Sequence, residues 1–189
     1  MYGACHAGKM FFVCEYAGGG QLDEYLQDHP DEVWQKLYEV ALGLRYLNSM
    51  GVIHGDLKCN NILVGSDGLA KLTDFGLSSL KGKSSPLDGS NIGAIQWKAP
   101  EVLRGEKATF ASDIYSFGMC ILEAVSGELP WGRHVDDKIV RYHVLGQQLP
   151  PHPENCSEEE FALVERMCRF DPSERLTIKE VVDSLNAMR

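Results

Sequence analysis

No apolar run in the 189 residues approaches membrane-spanning length, and the Met10-Phe11-Phe12-Val13 cluster is too brief for the core of a signal peptide. The expectation is a soluble, cytoplasmic (intracellular) chain with no membrane segment. Basic charge is also scarce: 18 Lys and Arg against 27 Asp and Glu leave a net charge of -9. Nothing basic gathers into a patch able to neutralise several phosphates, which argues against a nucleic-acid partner. Six cysteines are present, at positions 5, 14, 59, 120, 156 and 168, but none has the C-x-x-C spacing of a metal site. Scattered through apolar, catalytic and loop segments, they read as free thiols of a reducing compartment. Internal repeats and low-complexity linkers are absent as well. What remains is ordinary globular composition, 44% hydrophobic and 24% charged, in a length that suits one domain with a substantial core.

Two apolar runs open the chain, residues 2–6 and 10–16, and Ala7-Gly8-Lys9 between them reads as a hairpin turn. Gly18-Gly19-Gly20 then breaks the chain. Without a following Lys-Ser or Lys-Thr the three glycines make a bend and not a phosphate loop. Residues 21–27 suit a short helix. Residues 31–50 suit a long amphipathic one, with Val33, Leu37, Val40, Ala41, Leu44 and Leu47 on one stripe and Gly51 as the stop. Gly65-Ser66-Asp67-Gly68 reads as the turn of a hairpin joining residues 62–64 to 69–72. Residues 78–91 are loop-like. Residues 113–126 are apolar nearly all round, which predicts a helix buried in the middle of the domain. A further helix is expected over 136–145, and Ser157 with Glu160 and Thr177 with Glu180 fit capping boxes opening two more.

Chemistry is concentrated in His54-Gly55-Asp56-Leu57-Lys58-Cys59-Asn60-Asn61, followed by Thr73-Asp74-Phe75-Gly76 and by Ala99-Pro100-Glu101. Phosphoryl transfer needs one carboxylate beside the attacking hydroxyl, and oxygen ligands for magnesium, a hard cation. Asp56 suits the first task, Asn61 and Asp74 the second. A single tripeptide means little, whereas three in this order and at these separations are specific.

These segments resemble the catalytic loop, metal-binding loop and A-P-E segment of the eukaryotic protein kinases. The resemblance runs from about Met10 to the end of the chain. It implies an α+β, protein-kinase-like fold: a mainly helical large lobe over residues 18–189, with residues 1–17 as a hairpin remnant of the small lobe and hinge. ATP and Mg2+ would be the cofactors and a protein the substrate. Asp56 would be the catalytic base and Lys58 would steady the transferring phosphoryl group; Asn61 and Asp74 would hold magnesium. Backbone groups of Glu15 and Ala17 would bind the adenine edge, with Cys14 as gatekeeper and Leu63 under the ring. His54 is expected to be scaffold, Glu101 to pair with Arg175, Asp113 to hold the catalytic-loop backbone, Cys14 and Cys59 to be inert packing, and Trp97 and Trp131 to pack in the core or substrate groove.

Departures from the family pattern are also legible. No glycine-rich loop, lysine-bearing strand or glutamate-bearing helix precedes the hinge-like segment. The expectation is therefore a large lobe alone, read incompletely from a longer protein whose upstream regulatory or receptor region is missing, with Phe11, Phe12 and Val13 on an exposed apolar face. Gly55 stands where the family usually has an arginine that grips a phosphate on the activation loop, so phosphorylation of Ser78, Ser79, Ser84, Ser85 or Ser90 is not expected to be required, although Lys81 or Lys83 could partly substitute. Ala94 replaces a common threonine and Trp97 is tyrosine-kinase-like, while Lys58 favours serine/threonine specificity. That mixture is similar to the tyrosine-kinase-like group of serine/threonine kinases. The rival is a non-catalytic, pseudokinase-like interaction module, against which the intact Asp56, Asn61 and Asp74 speak.

Overall fold

Helix α4, Phe110–Ser126, is the centre of the structure, and every residue from Ser112 to Glu123 on it is buried. An apolar helix of this kind is stable only if other elements cover all of its sides. In this computed structural model, which describes residues 3–5, 11–13, 15–74, 78–80 and 94–189, those elements are α1 (Leu22–Asp28), α2 (Val33–Ser49) and α6 (Glu158–Met167). Phe117, Met119, Ile121 and Leu122 of α4 are at most 1% exposed, and each such side chain contributes about 1.5–3 kcal/mol by leaving water. The helix begins three residues before the sequence-expected Asp113. The side chains of Thr109 and Ser112 cap each other's backbone N–H, which pulls the first turn upstream. It ends at Gly127, whose φ of 69° is a left-handed conformation open to glycine without strain.

Helix α2 packs against α7 (Ile178–Met188), and α3 (Pro100–Leu103) and α5 (Asp137–Leu145) complete the helical part. Along α2 the expected stripe is buried at Leu37, Val40, Ala41 and Leu44, while Val33 and Leu47 are half-buried. A single 3-10 turn, Pro30–Glu32, leads into it. Both expected capping boxes are present, Ser157 with Glu160 and Thr177 with Glu180.

Three small antiparallel sheets accompany the helices among the described residues. β1 (Gly3–Cys5) pairs with β2 (Phe11–Val13), as the expected hairpin requires; its turn, and the side chains of Phe11, Phe12 and Val13, lie outside the described residues. β3 (Gly20–Gln21), β5 (Ile62–Val64) and β6 (Ala70–Leu72) form a three-stranded sheet, with residues 65–68 as the turn. Gly19 is needed there for close approach: a Cβ would come within 2.8 Å of the Val64 Cβ. β4 (Val52–Ile53) pairs with β7 (Ser79–Leu80). That last strand corrects the loop reading of residues 78–91 at its start; a two-residue strand has no periodicity to detect. Together these elements are a protein-kinase-like α+β fold, mainly helical with a partial small lobe.

Candidate active site

The catalytic-loop segment follows β4 and is suspended from α4. Asp113, 2% exposed, accepts the backbone N–H groups of His54 (2.8 Å) and Gly55 (2.8 Å), one on each carboxylate oxygen. Burial pushes its carboxyl up to about 6, against the two N–H groups that favour the charged form. Gly55 itself has a φ of 77°, a backbone conformation strained for any residue with a Cβ. His54 is wholly buried. Its Nε2 lies 2.9 Å from the Thr73 carbonyl, and its Nδ1 accepts the Asp56 N–H at 3.2 Å, an arrangement that fixes the neutral Nε2–H tautomer. Burial lowers its pKa, so it serves as a neutral bracket between the two motif segments.

Asp56 is the convergence point. Lys98 Nζ approaches one of its carboxylate oxygens at 2.9 Å and also donates to the Gly55 carbonyl at 2.8 Å. Asn61 Nδ2 donates to the other carboxylate oxygen at 3.2 Å and to the Asp56 carbonyl at 2.8 Å. Lys58 Nζ stands 3.9 Å from that second oxygen. Two cations and an amide thus surround one carboxylate whose side chain keeps 13% exposure.

Asn61 is carried on the 3-10 turn Cys59–Asn61. Its carbonyl accepts both the N–H (2.9 Å) and the hydroxyl (3.0 Å) of Thr73, the residue before Asp74. Asp74 is exposed and has a φ of 56°, the kind of backbone outlier concentrated at functional sites. The Asn61 amide nitrogen is committed to Asp56, and its oxygen and the Asp74 carboxylate are hard oxygen groups of the kind magnesium takes. Phe75 and Gly76 lie outside the described residues.

A second group of expected residues lies along the β5–β6 hairpin. Lys71 is paired across the ladder with Leu63 and bridges the Glu15 carboxylate at 2.6 Å. Ser66 Oγ donates to the Tyr16 carbonyl at 3.2 Å. Residues 15–17 are thereby tied to the hairpin that carries Leu63, whose half-buried side chain alternates with buried Ile62 and Val64. The Ala17 carbonyl receives the Gly20 N–H at 3.3 Å. Cys14 lies outside the described residues.

Support comes from farther along the chain. Glu101 and Arg175 form a buried bidentate pair with both contacts at 2.7 Å, and Arg175 also donates to the Ala111 and Arg169 carbonyls. Trp97 is buried and donates its indole N–H to Glu123 at 2.8 Å, where the Cys59 N–H also ends at 3.0 Å. Trp131 is half-buried and stacks over His143. The Cys59 thiol is enclosed and burial pushes its pKa well up, away from the low-pKa state of a reactive nucleophile. Lys98, which contacts Asp56, and Glu123, which takes the Cys59 and Trp97 N–H groups, are neighbours that sequence reasoning missed. A lone lysine between Trp97 and Ala99, and a lone glutamate in an otherwise apolar helix, were the available signals.

A family model described as protein tyrosine and serine/threonine kinase matches residues 1–185. The chain belongs to that family. It is 35% identical to a probable serine/threonine-protein kinase of Dictyostelium discoideum over 97% of its own length and 20% of the relative's. It is 34% identical to mitogen-activated protein kinase kinase kinase 4 of Mus musculus, covering 94% of this chain and 12% of that protein. Against human protein kinase C delta type the identity is 31%, over 89% of this chain and 25% of the relative. The kinase chain thus spans a quarter or less of the length of these three curated relatives. No helix among the described residues is long and apolar enough to cross a membrane.

Proposed function

We propose that this kinase-family chain transfers the γ-phosphoryl group of ATP to serine or threonine hydroxyls of a protein, as a member of the tyrosine-kinase-like group, in the cytoplasm. The observation that carries the reading is the Asp56 carboxylate held between Lys98 and Asn61, with Thr73, the residue before Asp74, bonded to the Asn61 carbonyl. Asp56 accepts the proton of the attacking hydroxyl as its oxygen bonds to phosphorus and ADP departs. Lys98 keeps that carboxylate aimed, and Lys58 holds an oxygen of the transferring group. Asn61 and Asp74 hold magnesium, which when bound neutralises charge on the phosphates. The backbone of Glu15 and Ala17 and the side chain of Leu63 hold the adenine, with residues 1–17 serving as the end of the small lobe and residues 18–189 as the large lobe.

Magnesium-dependent ATP binding tests the site directly. Ligand at about 100 times Kd stabilises the native state by roughly 2.7 kcal/mol. The expected result is a thermal shift with ATP that requires Mg2+ and is lost in Asp74→Asn. Absence of any shift in the wild type would instead favour a module that binds partners without nucleotide.

A further inference from the structure

Beneath the catalytic turn, two thiols and a carboxylate meet without a role in the phosphoryl-transfer reading. Cys59 lies on the turn that carries Asn61, and Cys120 and Glu123 lie on α4. One ligand atom from each falls within 4.8 Å of the others, and all three residues are buried. The two cysteines are 0% exposed, and Cys59 Sγ contacts the Cys120 carbonyl at 3.4 Å. The Cys59 and Trp97 N–H groups both end on the same oxygen, Oε2, of Glu123, which leaves Oε1 as a second donor of the carboxylate.

A cavity of about 400 Å³ is lined by Glu123 of this cluster, together with Asp23, Trp34 and Arg133 among others, while the two cysteines lie behind its wall. Asp23 Oδ1 in its wall is buried and has no hydrogen-bond partner among the described residues. A carboxylate oxygen in that state raises the affinity of its surroundings for a cation. Two sulfurs with a carboxylate select a borderline-soft divalent ion over magnesium or calcium.

We propose that Cys59, Cys120 and Glu123 are the protein ligands of a Zn2+ site, with water completing four-coordination on the Glu123 side, where the cavity lies. Each thiol gives its proton to solvent as its sulfur binds. The ion clamps the catalytic turn onto α4, a contact the Cys59 N–H to Glu123 bond already makes in its absence.

Co2+ is the spectroscopic probe, added to the reduced, metal-free 189-residue chain. One equivalent should give thiolate-to-cobalt absorption and raise the unfolding temperature. Cys59→Ser and Cys120→Ser should each weaken binding by more than about 100-fold, since loss of supporting residues around a metal site alone costs about 10–100-fold. Cys156→Ser should retain it. Metal-free unfolding curves establish that each variant folds. If one does not, Zn2+ should protect Cys59 and Cys120 of the wild type from alkylation, read by mass. No thiolate absorption, unchanged absorption in both variants, or a Cys59–Cys120 disulfide in place of bound metal would overturn the proposal. Phosphoryl transfer plays no part in these readouts, so the site stands or falls apart from the kinase reading.

Discussion

Asp113 bears a cost that exposes its function to pH. Its folded pKa of about 6 lies above the ordinary 3.8, so between these values the folded state binds the proton more tightly than the unfolded chain. Its contribution to stability is therefore complete below about pH 4 and is lost as pH rises through about 6, an effect of roughly 3 kcal/mol at about 1.4 kcal/mol per unit. In urea unfolding the wild type should gain on Asp113→Asn as pH falls from 7 to 4.5; a difference independent of pH would contradict this. Lys98 gives a second prediction at this scale. Lys98→Met frees the Asp56 carboxylate from its 2.9 Å contact and should reduce turnover by about 10²–10³-fold, as loss of a preorganised charge partner does, with the Kd for ATP unchanged. Asp56, Asn61 and Asp74 stand out in the sequence as candidates because they lie at fixed separations within motifs, and the hold of Asp113 on the loop backbone was expected from the family resemblance. Lys98 was not, because a long side chain reaching a partner 42 residues away leaves no local pattern.

Among the elements, the link from α3 to the segment before α7 rests on one buried ion pair, Glu101 with Arg175. Removing one partner leaves an uncompensated buried charge, so Glu101→Ala should cost about 3–5 kcal/mol in chemical denaturation, whereas replacing both by apolar residues of similar volume should cost less. At the end of α4, Gly127→Ala should cost about 1 kcal/mol through its positive φ, with activity unaffected. The helices were readable from 3.6-residue periodicity and from the two capping boxes. The start of α4 and the strand Ser79–Leu80 were not, since one depends on a reciprocal Thr109–Ser112 cap inside a polar stretch and the other on a two-residue pairing with Val52–Ile53. α2 hid a further feature: Lys36 on its apolar side is buried among Glu32, Glu39 and the Gly68 carbonyl, and Glu39 also takes the Ala70 N–H at 2.8 Å, so a polar bridge fixes the β5–β6 hairpin to the helix.

Across the whole molecule, three distant stretches of sequence converge on one loop. The loop after β4 supplies Asp56, the segment before α3 supplies Lys98, and α4 holds the loop through Asp113. Their meeting is a property of the fold; the Asp113 contact was expected from the resemblance to the kinase family, and the Lys98 contact was not. The serines at 84, 85 and 90, with Lys81 and Lys83, lie outside the described residues, so the expectation that loop phosphorylation is dispensable rests on Gly55 alone. Transfer of label from γ-labelled ATP to a protein acceptor, wild type against Asp56→Asn, is the decisive measurement. Phosphoserine or phosphothreonine formed by the wild type and reduced about 10²–10⁴-fold in the variant, at equal affinity for ATP, is the expected result; equal transfer by both would contradict the role of Asp56.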